Sequence, residues 1–291
     1  MTRSRHAEAP LRLRHVIDAA TATLAEAGVN SPRVDAMELA AHAAGTDRGR
    51  LALLDAPGDD FFDRYDDLIT ARSRRVPLQH LTGFAAFGPV SVRVGPGVFV
   101  PRPETEALLE WALRQPLPRH AVIVDLCTGS AALALALARS RPDARVIAVD
   151  DSDSALSYAR RNVAGTAVEL VRADVTDGSQ LPDLGGAVDL LVANPPYIPD
   201  GAVLEPEVAE HDPPHALFGG PDGMEVIAAI VDLAVRWLRP GGRCGIEHDD
   251  TASALTVAAF TRTGRFADVT ARTDLTGRPR FVTATRPGTE A

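Results

Sequence analysis

An α/β fold with a mostly parallel, doubly wound sheet is predicted, preceded by a small all-helical domain. Three observations carry this. Residues 1–80 show helical periodicity and no strand-like alternation. From Ala121 onward, short apolar runs alternate with helical stretches, the pattern of repeated β-α-β units. The runs at 121–126, 145–149 and 188–193 are almost continuously apolar, as strands covered on both faces must be.

The elements follow in order. A first helix is expected over 13–27, with Val16, Ala20, Leu24 and Ala27 on one face and Gly28 as its stop. Ser31-Pro32 opens a second over 34–44, closed by Gly45. A third, over 60–74, offers Phe62, Tyr65, Leu68 and Ile69 as its apolar set. These make a helical domain over 1–80. A hairpin and linker over 81–100 follow, rich in Gly, Val, Phe and Pro, with Val90, Val92 and Val94 in alternation. Proline and glutamate in the first turn open a helix over 107–113. The main domain, 101–286, then reads as strand 121–126, helix 131–139, strand 145–149, helix 153–162 and strands 168–171 and 188–193. A helix over 223–238, ended by Pro240-Gly241-Gly242, and a strand over 243–247 come next. A terminal strand pair, 266–272 and 280–285, and a frayed tail, 287–291, complete it.

Composition narrows the function. A chain of 291 residues has room for two domains. The two cysteines, Cys127 and Cys244, form no CxxC pair, so neither a disulfide framework nor a zinc ribbon can be built. The net charge is −9 although all thirty basic residues are arginine, which leans away from stable nucleic-acid binding. No apolar run is long enough for a bilayer or a signal peptide, so a cytoplasmic protein without membrane contact is expected. A monomer is expected as well.

In such sheets ligands sit at the carboxyl ends of the strands. One candidate segment is Val124-Asp125-Leu126-Cys127-Thr128-Gly129-Ser130, a strand running into a turn and a helix N-terminus with free N–H groups. Asp150 ends the next strand about twenty residues past Gly129, the spacing of a carboxylate that accepts ribose hydroxyls. Asp174 follows the third strand, where an adenine edge could be read. A single glycine after a strand is a weak signal, however, and Asp150 is equally placed to cap the next helix.

The second segment, Asn194-Pro195-Pro196-Tyr197 after strand 188–193, is more specific. Pro195 and Pro196 lack N–H groups and hold φ fixed, so they leave the sheet in a rigid turn. The Pro195 carbonyl and the Asn194 side-chain carbonyl can then form an acceptor pair spaced for one –NH2 group. Tyr197 supplies a flat face for a planar group.

This tetrapeptide resembles the signature of S-adenosylmethionine-dependent methyltransferases acting on planar amino or amide nitrogens. The chain is most similar to the release-factor glutamine methyltransferases, the HemK-type family. The resemblance rests on Asp35-Ala36-Met37-Glu38-Leu39, Leu78-Gln79-His80-Leu81-Thr82-Gly83 and Val100-Pro101-Arg102-Pro103-Glu104-Thr105-Glu106. It continues through Leu217-Phe218-Gly219-Gly220-Pro221-Asp222-Gly223, Leu238-Arg239-Pro240-Gly241-Gly242 and Leu275-Thr276-Gly277-Arg278. It implies a seven-stranded Rossmann-like methyltransferase sheet with S-adenosylmethionine as cofactor. The implied cofactor contacts are Phe99 and Pro103 near the methyl group, the loop Cys127, Thr128, Gly129, Ser130 and Ala131, then Asp150, Asp174, Val175 on the adenine, and Asn194. It also implies methyl transfer to the glutamine of the Gly-Gly-Gln motif of peptide chain release factors, with Asn194, Pro195, Pro196 and Tyr197 catalytic. Other readings are an adenine N6 DNA methyltransferase, glutamine methylation of a ribosomal protein, and a non-catalytic binding protein of the same fold.

The family's first motif reads Asp-Leu-Gly-Thr-Gly-Ser-Gly. Here Cys127 and Ala131 replace its first and third glycines, and a residue with a Cβ is not expected to take φ > 0 easily. Cofactor binding is expected to survive, weakened. Glu247-His248-Asp249-Asp250 invites a metal reading, but adjacent strand residues point to alternate faces, so a polar strand end is favoured and no metal is expected. Arg72, Arg74 and Arg75 read as a solvated helix end, or else as a contact for an acidic partner.

Overall fold

A computed structural model describes residues 3–53, 58, 60–177 and 184–288. The tail expected over 287–291 lies outside these residues from 289 on. The chain forms two compact units, one running through Gly83 and including Glu205–His211, the other comprising Phe84–Leu204 and the chain from Asp212. No helix among the described residues is long and apolar enough to cross a membrane.

The first unit is helical: Arg3–Glu26, Pro32–Ala43, Phe61–Ser73, Leu78–Thr82 and, from far along the chain, Pro206–His211. Its core gathers Leu24, Leu39, Phe61, Tyr65 and Ile69. The third helix buries Phe61, Tyr65, Ile69 and Arg72 rather than the expected Phe62 and Leu68. That face is spaced by four and three residues, and Tyr65 fixes it by donating to the Ala36 carbonyl at 3.0 Å. Arg72 is therefore not a solvated helix end. It is buried, with Nε on Asp35 at 2.7 Å and a second nitrogen on Glu207 at 2.8 Å. Burying Arg72 and Asp35 together beside the half-buried Glu207 is tolerable only because each charge has its counter-charge at hydrogen-bond distance.

The second unit opens with an antiparallel hairpin, β1 (Phe84–Phe87) and β2 (Val90–Arg93). The sheet strands follow: β3 (Val122–Leu126), β4 (Arg145–Asp150), β5 (Glu169–Arg172), β6 (Val188–Ala193), β7 (Leu238–Glu247), β8 (Ala267–Thr273) and β9 (Pro279–Thr285). They pair in the order β5-β4-β3-β6-β7-β9-β8, parallel through β7, with β9 and β8 antiparallel at one edge. Helices Glu106–Leu113, Ala132–Ser140 and Asp153–Asn162 cover one face together with the hairpin. Helices Glu225–Trp237 and Ser253–Arg262 cover the other. The predicted doubly wound fold class is what forms.

Two elements depart from expectation. Helix Glu225–Trp237 passes directly into β7, which runs through Pro240-Gly241-Gly242. The register slips between Val188 and Leu190 to admit the extra residues. Gly241 donates to the Arg286 carbonyl and Arg286 to that of Gly242, both at 2.8 Å, so the irregular stretch stays paired. Helix Ser253–Arg262 has few large apolar residues to announce it. It buries Thr256, Ala259 and Phe260, with Phe260 edge-on to Phe266.

Register sets the site. Leu126 pairs with Val149 on one side and Ala193 on the other, and Ala193 pairs with Ile246. The next residue of each strand is Cys127, Asp150, Asn194 or Glu247. These four side chains therefore stand in a row along the carboxyl ends of four adjacent parallel strands.

Candidate active site

The loop after β3 is tightly wound. Cys127 has φ +58°, Gly129 +56° and Ala131 +64°. The expectation that Cys127 would avoid φ > 0 is thus overturned, because the turn's own bonds outweigh its side chain. Thr128 N–H donates to the Val149 carbonyl, Ala131 N–H to that of Thr128, and Gly129 N–H to Asp150 Oδ2. Left-handed backbone at a residue with a Cβ costs about 1–2 kcal/mol, and three hydrogen bonds offset it. Asp125 locks the loop from beneath, accepting from the Thr128 hydroxyl at 2.5 Å and from Ala134 N–H at 3.1 Å. Burial pushes its carboxyl up to about 7 against those two bonds.

Asp150 takes Gly129 N–H at 2.8 Å and Ser152 N–H at 3.0 Å, and Ser152 itself caps the following helix. Burial raises the Asp150 carboxyl, and these N–H bonds oppose the rise. Asp150, Asp151, Asp125 and Asp174 all act on the Cys127 thiol, which burial first and these acids second hold well above the usual thiol range. It stays protonated and is no nucleophile. Val175 and Cys127 join the same apolar cluster under the loop. Asp174 Oδ1 binds the N–H and hydroxyl of Thr176. Ser130 is tied to the hairpin through Asn162, whose amide donates to the Ser130 and Arg93 carbonyls. A Cβ added at Gly129 would meet no atom within 4 Å. The loop therefore leaves open space at Gly129, at the carboxyl ends of the strands and beside the Asp150 carboxylate.

The second cluster lies one strand over. Asn194 donates its Nδ2 to the Thr105 hydroxyl at 3.1 Å. With Nδ2 turned to Thr105, Oδ1 is left as an acceptor. Tyr197 donates its hydroxyl to Glu247 Oε1 at 3.1 Å. Burial first and the Glu247 charge second raise the Tyr197 phenol far above its ordinary value, so it remains a donor. Pro195 is buried and Pro196 half-buried. The Leu217–Gly223 stretch clamps this turn: Ile198 N–H donates to the Leu217 carbonyl at 2.8 Å and Gly219 N–H to that of Ile198 at 3.0 Å. A Cβ at Gly219 would stand 2.5 Å from the Pro196 carbonyl oxygen, so only glycine fits here.

The expected residues thus fall into two groups on adjoining strand ends. Cys127–Ala131, Asp150, Asp174 and Val175 form one; Asn194 to Tyr197 form the other. Pro103 is exposed in the turn Pro103–Thr105 that carries Thr105 to Asn194. Phe99 lies under the Arg102 guanidinium at 4.9 Å and makes no hydrogen-bonded link to either group. The Glu247–Asp250 stretch splits as its alternation required. Glu247 turns to Tyr197, His248 Nδ1 lies 2.7 Å from the Asp249 carbonyl, and Asp249 binds Thr251.

Comparison with known proteins agrees with this geometry. Residues 15–83 match the PrmC N-terminal domain, and residues 91–211 the methyltransferase small domain. Release factor glutamine methyltransferase of Mycolicibacterium smegmatis is 68% identical, over 94% of this chain and 98% of that one. The proteins of the same name from Streptomyces coelicolor and Deinococcus radiodurans are 48% and 44% identical. They align over 91% and 96% of this chain and 95% and 100% of their own lengths. The chain belongs to the release factor glutamine methyltransferase family. A crystallised methyltransferase from Pyrococcus furiosus shares the fold at a TM-score of 0.50 and 19% identity, over 70% of this chain and 92% of that one.

Three side chains that bond the candidate residues were not singled out as site residues by the sequence: Thr105, Asp125 and Glu247. Glu247 ends its strand and Asp125 stands one residue before the end of its own, inside the first candidate segment, where ligands gather, and that was the available signal. Thr105 carried none beyond its place in the Pro-Arg-Pro-Glu-Thr motif.

Proposed function

We propose that the protein transfers a methyl group from S-adenosylmethionine to the side-chain amide nitrogen of the glutamine in the Gly-Gly-Gln motif of peptide chain release factors. The observation that carries this reading is the placement of the Asn194 amide at the end of its strand, turned to Thr105. Its Nδ2 is held by Thr105, so Oδ1 is free to accept an N–H from a planar –NH2 group. Family membership supports the choice of substrate.

The Gly129 turn, Asp150, Asp174 and Val175 would hold the cofactor, which when bound supplies an electrophilic methyl on a sulfonium. The chain's own contribution is orientation and charge. An amide nitrogen is a poor nucleophile because its lone pair is delocalised into the carbonyl. Asn194 Oδ1 and the Pro195 carbonyl, each accepting one N–H, would favour the rehybridised nitrogen and stabilise positive charge developing on it. Pro195 and Pro196 keep these acceptors rigid, and Tyr197 gives the planar amide a face to pack on.

The test is mass spectrometry of three substrates incubated with the protein and S-adenosylmethionine. They are unmethylated release factor, the same factor with its loop glutamine changed to alanine, and unmethylated duplex DNA. The expected result is one methyl gained by the intact factor alone and none when Asn194→Ala replaces the wild type. Transfer to DNA instead, or to the alanine-substituted factor, would overturn the assignment.

A further inference from the structure

We propose that Arg102 and Asp212 are positioning residues for methyl transfer, their ion pair closing a ring of bonded segments around Asn194-Pro195-Pro196-Tyr197. The inference rests on the function proposed above and deepens it at the same site.

Two different stretches of chain hold the two ends of the tetrapeptide. At its start, Asn194 Nδ2 donates to the Thr105 hydroxyl at 3.1 Å. Thr105 N–H donates in turn to the Arg102 carbonyl at 3.2 Å, so a single short turn ties Thr105 to Arg102. Just past its end, Ile198 N–H donates to the Leu217 carbonyl at 2.8 Å, and Ile198 and Phe218 form a parallel bridge. Leu217 is wound close to Asp212. The N–H groups of Leu217 and Phe218 donate to the Pro214 carbonyl at 3.0 and 3.1 Å, and that of Ala216 to the Pro213 carbonyl at 2.9 Å.

The two stretches begin at Arg102 and Asp212, 110 residues apart in the chain, and an ion pair between Arg102 Nη2 and Asp212 Oδ2 joins them. The ring therefore runs from Asn194 through Thr105 and Arg102 to Asp212, Leu217 and Ile198, and back along the tetrapeptide. All of these residues belong to one compact unit.

The pair is built to hold one geometry. The Asp212 side chain is buried and that of Arg102 half-buried. The Arg102 guanidinium also lies over the Phe99 ring, 4.9 Å from its centroid. A planar guanidinium engaged by a carboxylate and by an aromatic face has little freedom left. Taking a carboxylate out of water is costly, and such a pair adds little net stability over apolar residues of the same volume. What it specifies is the arrangement of the two stretches it joins. The consequence falls on Asn194, because an acceptor misplaced by about 1 Å costs on the order of a hundredfold in rate. The turn at Cys127–Ala131 and Asp150 has its own hydrogen bonds and stands outside the ring. The ion pair thus acts on the orientation of the methyl acceptor and not on the cofactor.

The experiment compares the full-length wild type with Arg102→Met, Asp212→Asn, the double variant of the two, and Arg102→Lys. It reads kcat and KM for release factor, S-adenosylmethionine affinity by calorimetry, and the urea midpoint. Arg102→Met takes this counter-charge from the buried Asp212 carboxylate and should lower the midpoint. The double variant buries no charge at the pair and should recover most of it. The expected kcat is down roughly ten- to a hundredfold in Arg102→Met and equally low in the double variant. KM and cofactor affinity should stay within about twofold, the pattern of an interaction used only in the transition state. Arg102→Lys keeps the charge without the planar fork and should recover part of the rate. A double variant that regains wild-type kcat together with its stability would overturn the proposal, since the pair would then only hold the fold. So would wild-type kcat in Arg102→Met, or a cofactor affinity that falls as far as kcat. Amide hydrogen exchange adds a readout independent of the substrate. The Thr105 and Ile198 amides should exchange at least about tenfold faster in the double variant than in wild type, and unchanged exchange at both sinks the inference. If wild type leaves release factor unmethylated while these amides behave as expected, the substrate assignment fails and the positioning role stands.

Discussion

The Gly223 backbone lies against the Tyr197 carbonyl: a Cβ there would stand 2.1 Å from that oxygen, at a φ of +74°. Two independent penalties meet at this position, left-handed backbone and a backbone-to-backbone clash that no rotamer can relieve. Gly223→Ala is expected to destabilise the protein by about 2–4 kcal/mol and to abolish methyl transfer by displacing the Asn194–Tyr197 turn. Urea denaturation and the methylation assay read the two effects. A variant as stable and active as wild type would mean that the clamp is not needed.

Gly129 makes the opposite case. It too has positive φ, +56°, but a Cβ there would meet nothing within 4 Å. Gly129→Ala should cost about 1–2 kcal/mol of backbone strain and leave the fold intact. The added methyl enters the space left for the cofactor, so S-adenosylmethionine affinity should fall at least tenfold. Calorimetric titration measures this, and unchanged affinity would place the cofactor elsewhere.

Arg72 is expected to be the most sensitive arginine of the helical unit. Its removal leaves the buried Asp35 carboxylate without a counter-charge and strips Glu207 of its closest one, at 2.8 Å. Arg72→Ala should cost about 3–5 kcal/mol. Arg114 and Glu110 form an ion pair on exposed helix surface, and Arg114→Ala should change stability by at most about 0.5 kcal/mol. Equal effects in chemical denaturation would remove the distinction.

These cases also mark what the sequence disclosed. The strands β3, β4 and β6 were legible because burial on both faces demands uninterrupted apolar residues. Asn194 to Tyr197 were legible because two prolines permit so few backbone shapes. Arg72 was not, since its partner Glu207 is 135 residues away and the ion pair exists only after folding. Glu247 was read as one of four adjacent polar residues. Its link to Tyr197 depends on the β6–β7 register, which contains a slip that no periodicity announces. At Cys127 the preference of a single residue gave the wrong expectation, because an effect of about 1–2 kcal/mol yields to a turn fixed by several hydrogen bonds.

Asp125 ties stability to pH. Its carboxyl rises from 3.8 unfolded to about 7 folded, mainly through burial. The native state therefore holds a proton that the unfolded chain releases. The resulting stabilisation is complete below about pH 4 and is lost as pH rises through 7, with a slope of at most about 1.4 kcal/mol per pH unit. Asp125→Asn carries no titrating proton, so its stability relative to wild type should improve steadily from pH 5 to pH 8. Parallel free-energy curves for the two proteins across that range would show that Asp125 does not titrate there.

The two substituted glycine positions set competing terms against each other. Ala131→Gly relieves left-handed strain of about 1–2 kcal/mol but forfeits a buried methyl worth about 0.8 kcal/mol and loosens the unfolded chain by about 0.4–1 kcal/mol. Ala131 is fully buried, so the methyl contribution applies in full. The sum is near zero, and stability should change by less than about 1 kcal/mol. Cys127→Gly faces the same balance with a larger, half-buried side chain to lose. The turn already has its left-handed geometry with Cys127 and Ala131 in place. Restoring glycine should therefore change S-adenosylmethionine affinity by no more than a few-fold, as measured by calorimetry alongside the stability curves. A tenfold or greater gain in either variant would mean that Cys127 or Ala131 holds the loop away from its binding shape.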